Sequence, residues 1–225
     1  MGHRLEAVRA RLDRAAARAG RDRGSIRLIA ATKGVAPGRV RQAVELGVTD
    51  LGENRVQEAE AKIPAVGRSA AAWHLIGPLQ RNKAGRAVEL FDQVQTVDRA
   101  ELADALARRA QAAGRVLPVL VEVNVAQEAS KFGVAPEGVE ALLHVVSQLP
   151  GLEPRGLMTV GPRVERAEDA RAAFAGLREL RDRARAATGL ELNELSMGMS
   201  DDFEVAVEEG ATMVRVGTAL FGPRG

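Results

Sequence analysis

A lysine stands near the end of a short apolar run in a chain where lysine is rare. The run, LIAATKG, covers residues 28–34, and Lys33 is one of only four lysines among 32 basic residues. Because arginine is the usual cation of this chain, a lysine at a strand end indicates amine chemistry that a guanidinium cannot perform. In a partly desolvated pocket this amine would be a nucleophile able to form an imine. The alternative is an ordinary strand-end lysine that reaches solvent.

Two glycine-containing loops near the C-terminus have the composition of a phosphate site. In SMGMS, residues 196–200, Gly198 lets the backbone approach a ligand closely, and Ser200 is a candidate N-cap whose helix would present free N–H groups. The stretch RVGTALFG adds Gly217 and the Thr218 hydroxyl. The same residues also fit helix capping and simple chain turns, so the sequence leaves both interpretations open.

An arginine lies between two valines in the last apolar run, MVRVG. The alternation of a strand places Met213, Arg215 and Gly217 on one face. If that face points inward, the guanidinium needs an acceptor, since an unpaired buried charge is very costly. The acceptor could be a carboxylate in a structural ion pair or the ring nitrogen of a cofactor. A nucleophilic lysine, a phosphate site and such an arginine together describe a pyridoxal phosphate (PLP) site.

The elements that would position these residues alternate along the chain. Eight short apolar runs read as strands, at residues 27–32, 49–54, 72–77, 92–97, 118–125, 155–160, 192–197 and 212–217. Seven helical patterns separate them, and an amphipathic helix carrying Leu5, Val8 and Leu12 precedes the first strand. This alternation implies parallel strands with right-handed crossovers, and the length favours a single-domain (β/α)8 TIM barrel over residues 1–225, with an extra N-terminal helix. The active site of such a barrel lies at the carboxyl ends of its strands.

Composition excludes several classes of protein. Cysteine is absent, which rules out disulfides, thiolate metal sites and cysteine nucleophiles and fits a reducing compartment. No secretory signal or membrane-spanning run is present, so we expect a cytoplasmic protein that does not contact a membrane. The net charge is only +2 and aromatic residues make up 3% of the chain, which argues against a nucleic-acid partner. Three scattered histidines predict no metal site, and we expect a monomer.

Several longer motifs carry a resemblance to a known family. They are ATKG, GENRVQE, WHLIGPLQRNK, RGLMTV and LSMGMSDDFEVAVEEGATMVRVGTALFG, and they extend from about the first strand to the C-terminus. The chain resembles the pyridoxal phosphate homeostasis protein family, which is related to the alanine racemase N-terminal domain. The resemblance implies a fold-type III PLP-binding barrel that holds the cofactor as a covalent aldimine on a lysine.

The resemblance also assigns roles by motif position. It implies that Lys33 is the Schiff-base lysine and that Arg215 faces the pyridine nitrogen. The other residues that it places around the cofactor are Asn54, His74, Met158, Ser196, Met197, Gly198, Ser200, Gly217 and Thr218. Arg55 stands where many relatives have an aromatic residue, which puts a stacking role there in doubt. Lys131, in the loop after the fifth strand, is expected to be a surface or phosphate-contacting lysine and not the aldimine lysine.

Three functions are compatible with these features: a PLP-binding protein without a substrate, a PLP-dependent amino acid racemase, and a cofactor-free barrel enzyme acting on a sugar phosphate. The related racemases use a lysine on one face of the substrate and a tyrosine on the other, and this chain has no tyrosine. We therefore predict a non-enzymatic protein of intracellular PLP homeostasis, with the racemase as the alternative. Its partners would be PLP and PLP-requiring apoenzymes.

Overall fold

The protein forms a closed barrel of eight parallel strands in a computed structural model that describes residues 1–128, 131–162 and 164–223. The strands are β1 (Arg27–Ala31), β2 (Asp50–Glu53), β3 (Ala72–Leu75), β4 (Gln93–Val97), β5 (Leu117–Glu122), β6 (Leu152–Met158), β7 (Glu194–Ser196) and β8 (Met213–Val216). Each strand pairs with the next along the chain, and β8 closes the barrel by pairing with β1, with Ile29 opposite Arg215. The predicted (β/α)8 barrel is confirmed.

The helices surround the barrel as the alternation predicts, with differences at the C-terminal end. Within the described residues they are α1 (Gly2–Arg18), α2 (Pro37–Glu45), α3 (Val56–Val66), α4 (Ala84–Leu90), α5 (Ala100–Ala112), α6 (Val139–Gln148), α7 (Arg171–Thr188), α8 (Phe203–Glu208) and α9 (Thr218–Phe221). The helix after β8, α9, has only four residues, and α1 packs against both α8 and α9. The N-terminal helix α1 thus covers the part of the barrel surface that the single turn of α9 is too short to cover.

Side chains alternate between two environments along each strand. On β8, Val214 and Val216 belong to the hydrophobic core between strands and helices, whereas Met213 and Arg215 are buried outside that core. On β3, Trp73 packs in the same core, while its neighbour, a histidine, is buried among polar groups. Because successive strand residues face opposite sides, the second set fills the barrel interior. The interior of this barrel therefore contains polar side chains, among them Arg215 and the histidine of β3.

No helix in the described part of the chain is long and apolar enough to cross a membrane.

Candidate functional site

A cavity of about 320 Å³ lies at the carboxyl ends of the strands. It is lined by Ala31, Lys33, Val35, Asn54, Ile76, Val160, Met199, Ser200, Asp201, Arg215, Gly217, Thr218, Phe221 and Gly222. These residues come from β1, β8, the short helix α9 and the loops that follow β1, β2, β3, β6, β7 and β8. The cavity therefore brings together the lysine, the arginine and both glycine-containing loops that the sequence singles out.

Lys33 lies two residues beyond the end of β1, at the mouth of the cavity, and its side chain is exposed. The backbone there is a tight turn in which Val35 N–H donates to the Thr32 carbonyl at 2.9 Å, and Gly34 has a φ of +70°. A neighbouring groove of about 800 Å³ also has Lys33 and Asn54 in its wall. The lysine amine thus stands on the boundary between two concave surfaces.

Asn54 lines the cavity, and its backbone is packed tightly against the residue that follows Ile76. A Cβ added to Gly77 would lie only 2.4 Å from the Asn54 carbonyl oxygen, so this close approach needs a glycine after β3. Arg55, the next residue, lines the neighbouring groove and not the cavity. A role for Arg55 next to a ligand in the cavity has no support in this arrangement.

The loops after β7 and β8 are joined by one hydroxyl group. The Ser200 Oγ accepts the N–H groups of Gly217 at 3.3 Å and Ala219 at 3.1 Å. The predicted N-cap at Ser200 is wrong: α8 begins at Phe203, and Asp202 occupies its N-cap position. The Asp202 carboxylate accepts the Met199 N–H at 2.6 Å and so closes the turn that places Ser200 in the cavity wall.

Arg215 is a buried cation held by neutral oxygens. Its guanidinium donates to the Ser196 hydroxyl at 2.6 Å and to the Thr159 carbonyl at 2.7 Å. Burial lowers the pKa of Arg215 to about 10, and the Glu122 and Asp202 carboxylates oppose that shift from a greater distance. Within the described residues its direct contacts thus do not include the ion pair that the sequence allowed, and the cavity is where a further acceptor could approach it.

Two of the polar residues predicted to contact the cofactor lie deeper in the barrel. His74 is buried, with its Nε2 2.8 Å from the Asp50 carboxylate and its Nδ1 3.0 Å from the Gln93 side-chain oxygen. The Ser196 hydroxyl donates a hydrogen bond to the side-chain oxygen of Gln95 at 2.7 Å and accepts one from Arg215. Neither residue lines the cavity. Both belong to a polar network that supports the cavity floor from below.

Three further predicted contacts also lie outside the cavity wall. Met158, at the end of β6, is fully buried, and Met197 packs outward in the hydrophobic core. Gly198 has a φ of +91°, and a Cβ there would lie 2.5 Å from the Ala206 Cβ. Gly198 therefore permits close packing of the loop after β7 on α8. This packing, and not contact with a ligand, is the reason for a glycine at this position.

Two cavity residues that the sequence reasoning missed could have been found by strand alternation. Ile76 and Val160 line the cavity and lie two residues beyond His74 and Met158, the residues chosen from the same two runs. Residues two apart on a strand point to the same side, so the next inward position is nearer the mouth. The motifs identified the correct strands, but the alternation places the cavity wall at the next inward-facing residue, which lies two positions further along the chain.

Lys131 is held by neighbouring loops. Its Nζ donates to the Glu128 carboxylate at 2.7 Å and to the Gly161 carbonyl at 3.1 Å, and it does not line the cavity. These contacts agree with a structural position next to the β6 loop and leave Lys33 as the cavity lysine.

Comparisons with known proteins agree with this geometry. The family model for the alanine racemase N-terminal domain matches residues 4–225. A pyridoxal phosphate homeostasis protein of Aquifex aeolicus is 44% identical over 98% of this chain and 97% of its own length, and one of Pseudomonas aeruginosa is 47% identical over 96% and 93%. The PipY protein of Synechococcus elongatus, solved with PLP bound, is 37% identical over 98% of this chain and 99% of its own, with a TM-score of 0.85. This chain therefore belongs to the alanine racemase N-terminal domain family and, within it, to the pyridoxal phosphate homeostasis proteins.

Proposed function

We propose that the cavity binds PLP and that the protein acts in PLP homeostasis. The observation that carries the proposal is the meeting of an exposed lysine, a buried arginine and two hydroxyl-bearing loops around one cavity of about 320 Å³. The similarity to homeostasis proteins, and to a protein solved with PLP, supports it independently. When bound, PLP supplies an aldehyde that reacts with amines and a ring that withdraws electrons.

The loops after β7 and β8 suit the phosphate group. Ser200 and Thr218 both line the cavity, and among the described residues no hydrogen bond occupies the backbone N–H of either one. Donors of this kind, gathered in short turns, favour an anion. The charges of Lys33 and Arg215 in the same wall add to that preference. We therefore assign phosphate binding to these two loops.

Arg215 suits the pyridine nitrogen. The guanidinium is a donor only, so it would leave the ring nitrogen unprotonated and make the ring a weaker electron sink. The buried contacts of Arg215 with Ser196 and Thr159 hold it in place without neutralising it. Such an arrangement favours holding the cofactor over using it to stabilise a carbanion.

Lys33 would hold the aldehyde carbon as a covalent imine. The amine adds to the carbonyl, water leaves, and a carbon–nitrogen double bond replaces the carbon–oxygen double bond. Lys62 is buried against a glutamate and Lys83 lines only the neighbouring groove, so neither shares the position of Lys33 in the cavity wall.

We further propose that the protein holds PLP without turning over an amino acid. Racemisation needs a titratable group on each side of the α-carbon. Apart from Lys33 and Arg215, the described cavity wall offers only Asp201 as a titratable side chain, and His74 is engaged with Asp50 below the floor. A cytoplasmic location and apoenzyme partners stay predictions from the sequence.

The covalent assignment is tested by borohydride reduction of the protein mixed with PLP, followed by peptide mass mapping. We expect a pyridoxyl addition on the peptide that contains Lys33 and a yellow colour that is lost in Lys33→Ala. Lys83→Ala is the matched control, because that lysine borders the groove and not the cavity. An addition found on Lys62, Lys83 or Lys131 instead would show that the assignment is wrong.

The absence of turnover is tested by incubating the PLP-loaded protein with L-alanine in deuterated water. We expect negligible exchange of the α-hydrogen, read by proton NMR, and no D-alanine by chiral chromatography. Sustained exchange with formation of D-alanine, abolished by Lys33→Ala, would establish the racemase alternative.

A further inference from the structure

Two side chains of helix α3 form hydrogen bonds with the backbone on either side of Lys33. The Glu58 carboxylate accepts the Gly34 N–H at 3.1 Å, and the Lys62 Nζ donates to the Thr32 carbonyl at 2.7 Å. Glu58 and Lys62 are one helical turn apart, so both face the same segment of chain. We propose that this pair, which we term the α3 clamp, positions Lys33 for its reaction with PLP; the inference rests on the proposed function.

The buried half of the clamp is a small polar cluster behind the cavity wall. Lys62 is buried and also donates to the Glu53 carboxylate, whose side chain is fully buried at the end of β2. The same oxygen of Glu53 accepts the Thr32 hydroxyl at 2.6 Å. Burial raises the pKa of Glu53, whereas the hydrogen bonds from Lys62 and Thr32 oppose the shift.

Stability alone does not explain this cluster. A buried ion pair is often no more stabilising than apolar side chains of similar volume. The second oxygen of Glu53, Oε2, is buried and has no hydrogen-bond partner among the described residues, which adds a desolvation cost. The polar groups instead fix the orientation of Thr32, because Glu53 accepts a hydrogen bond from its hydroxyl group and Lys62 donates one to its carbonyl group.

Fixing the backbone matters because, among the described residues, no hydrogen bond or ion pair holds the Lys33 amine. Lys33 is exposed and long, so the reach of its amine depends on where its Cα is held. The clamp and the turn from Val35 N–H to the Thr32 carbonyl hold that Cα between two anchored residues. A reacting group held close to its partner needs less ordering when the bond forms.

The partly exposed half of the clamp gives a variant that should fold. Glu58→Ala removes the acceptor for the Gly34 N–H, while Glu58→Gln retains a side-chain oxygen that can accept it. Glu60→Ala is the matched control, because Glu60 lies on the same helix and pairs with Arg86 at the surface. Each cofactor-free protein is mixed with PLP, and growth of the visible imine band and thermal unfolding are measured separately.

We expect Glu58→Ala to form the imine about fivefold more slowly, the effect of losing one hydrogen bond of ordinary strength. Glu58→Gln should recover most of the rate, Glu60→Ala should match the parent protein, and the unfolding midpoint of the cofactor-free proteins should change little. A parent-like rate in Glu58→Ala would overturn the inference. So would a loss of rate that merely follows a loss of thermal stability.

A second variant tests the buried half without leaving an unpaired charge. The double substitution Glu53→Gln with Lys62→Met removes both members of the ion pair, and we expect slower imine formation in it as well. If this double variant does not fold, the rates of Glu58→Ala and Glu58→Gln decide whether the clamp positions Lys33. Lys33→Ala separates the two proposals: if it still forms the imine, the assignment of the covalent bond to Lys33 in the proposed function is wrong, whereas a colourless Lys33→Ala beside an unaffected Glu58→Ala refutes only the clamp.

Discussion

Replacing Glu122 with glutamine should stabilise the protein above neutral pH. Glu122 is the last residue of β5, only 5% exposed, and its Oε2 has no hydrogen-bond partner among the described residues. Burial raises the pKa of Glu122 to about 7; the nearby Asp98 adds to the shift and Arg215 opposes it. Folding therefore favours the protonated carboxyl, and ionisation of this group works against the folded state.

The size of the effect follows from that pKa. In the unfolded chain the group ionises near the ordinary value of 4.5, so between 4.5 and about 7 the folded protein retains a proton that the unfolded chain has lost. Stability therefore falls as pH rises through this window and stays lower above it. At about 1.36 kcal/mol per pKa unit, the full difference is about 3 kcal/mol. Glu122→Gln should be more stable than the parent by up to about 3 kcal/mol near pH 8, and nearly equal to it below pH 4.5.

Urea unfolding at a series of pH values, followed by the fluorescence of the single tryptophan, Trp73, measures this difference. Glu179→Gln serves as the matched control, because Glu179 is an exposed residue in the middle of α7. The reasoning is refuted if the parent and Glu122→Gln lose stability in parallel as pH rises. It is refuted equally if Glu122→Gln is the less stable protein near pH 8.

Two other sets of substitutions test the site and the packing beneath it. Ser200→Ala combined with Thr218→Ala should weaken PLP binding by roughly 2–4 kcal/mol and affect unphosphorylated pyridoxal much less, as measured by titration; equal losses for both ligands would indicate a structural role. Gly198→Ala, with a φ of +91° and a Cβ 2.5 Å from that of Ala206, should lower the free energy of unfolding by about 2–4 kcal/mol. Gly189→Ala, with a φ of +71° and open space around it, should lower it by only about 1–2 kcal/mol, and equal values would contradict the packing argument.

The sequence is most informative where a feature depends on repetition. Eight apolar runs at regular spacing predict eight strands, since each run must be buried on both sides in a parallel barrel. The short α9 is not predictable in the same way, because one helical turn leaves too few residues for a periodic pattern. The N-cap at Asp202 was missed because Ser200, Asp201 and Asp202 are all good capping residues.

The depth of each side chain in the barrel is what the sequence defines least well. His74 is an inward-facing polar residue on the correct strand, and nothing in the motif indicates that Asp50 and Gln93 hold it below the cavity. Depth depends on how far each strand is staggered relative to its neighbours. That stagger, such as His74 opposite Gly52 and Gln93, is a property of pairing between strands. A single strand does not encode it.

The position of Lys33 between the cavity and the groove has a kinetic consequence. A ligand bonded to this lysine in the cavity would border the groove, whose wall also includes Arg55 and Lys83. An amine that enters the groove would then approach the ligand at its bond to Lys33. Exchange would follow second-order kinetics, set by the concentration of the acceptor amine.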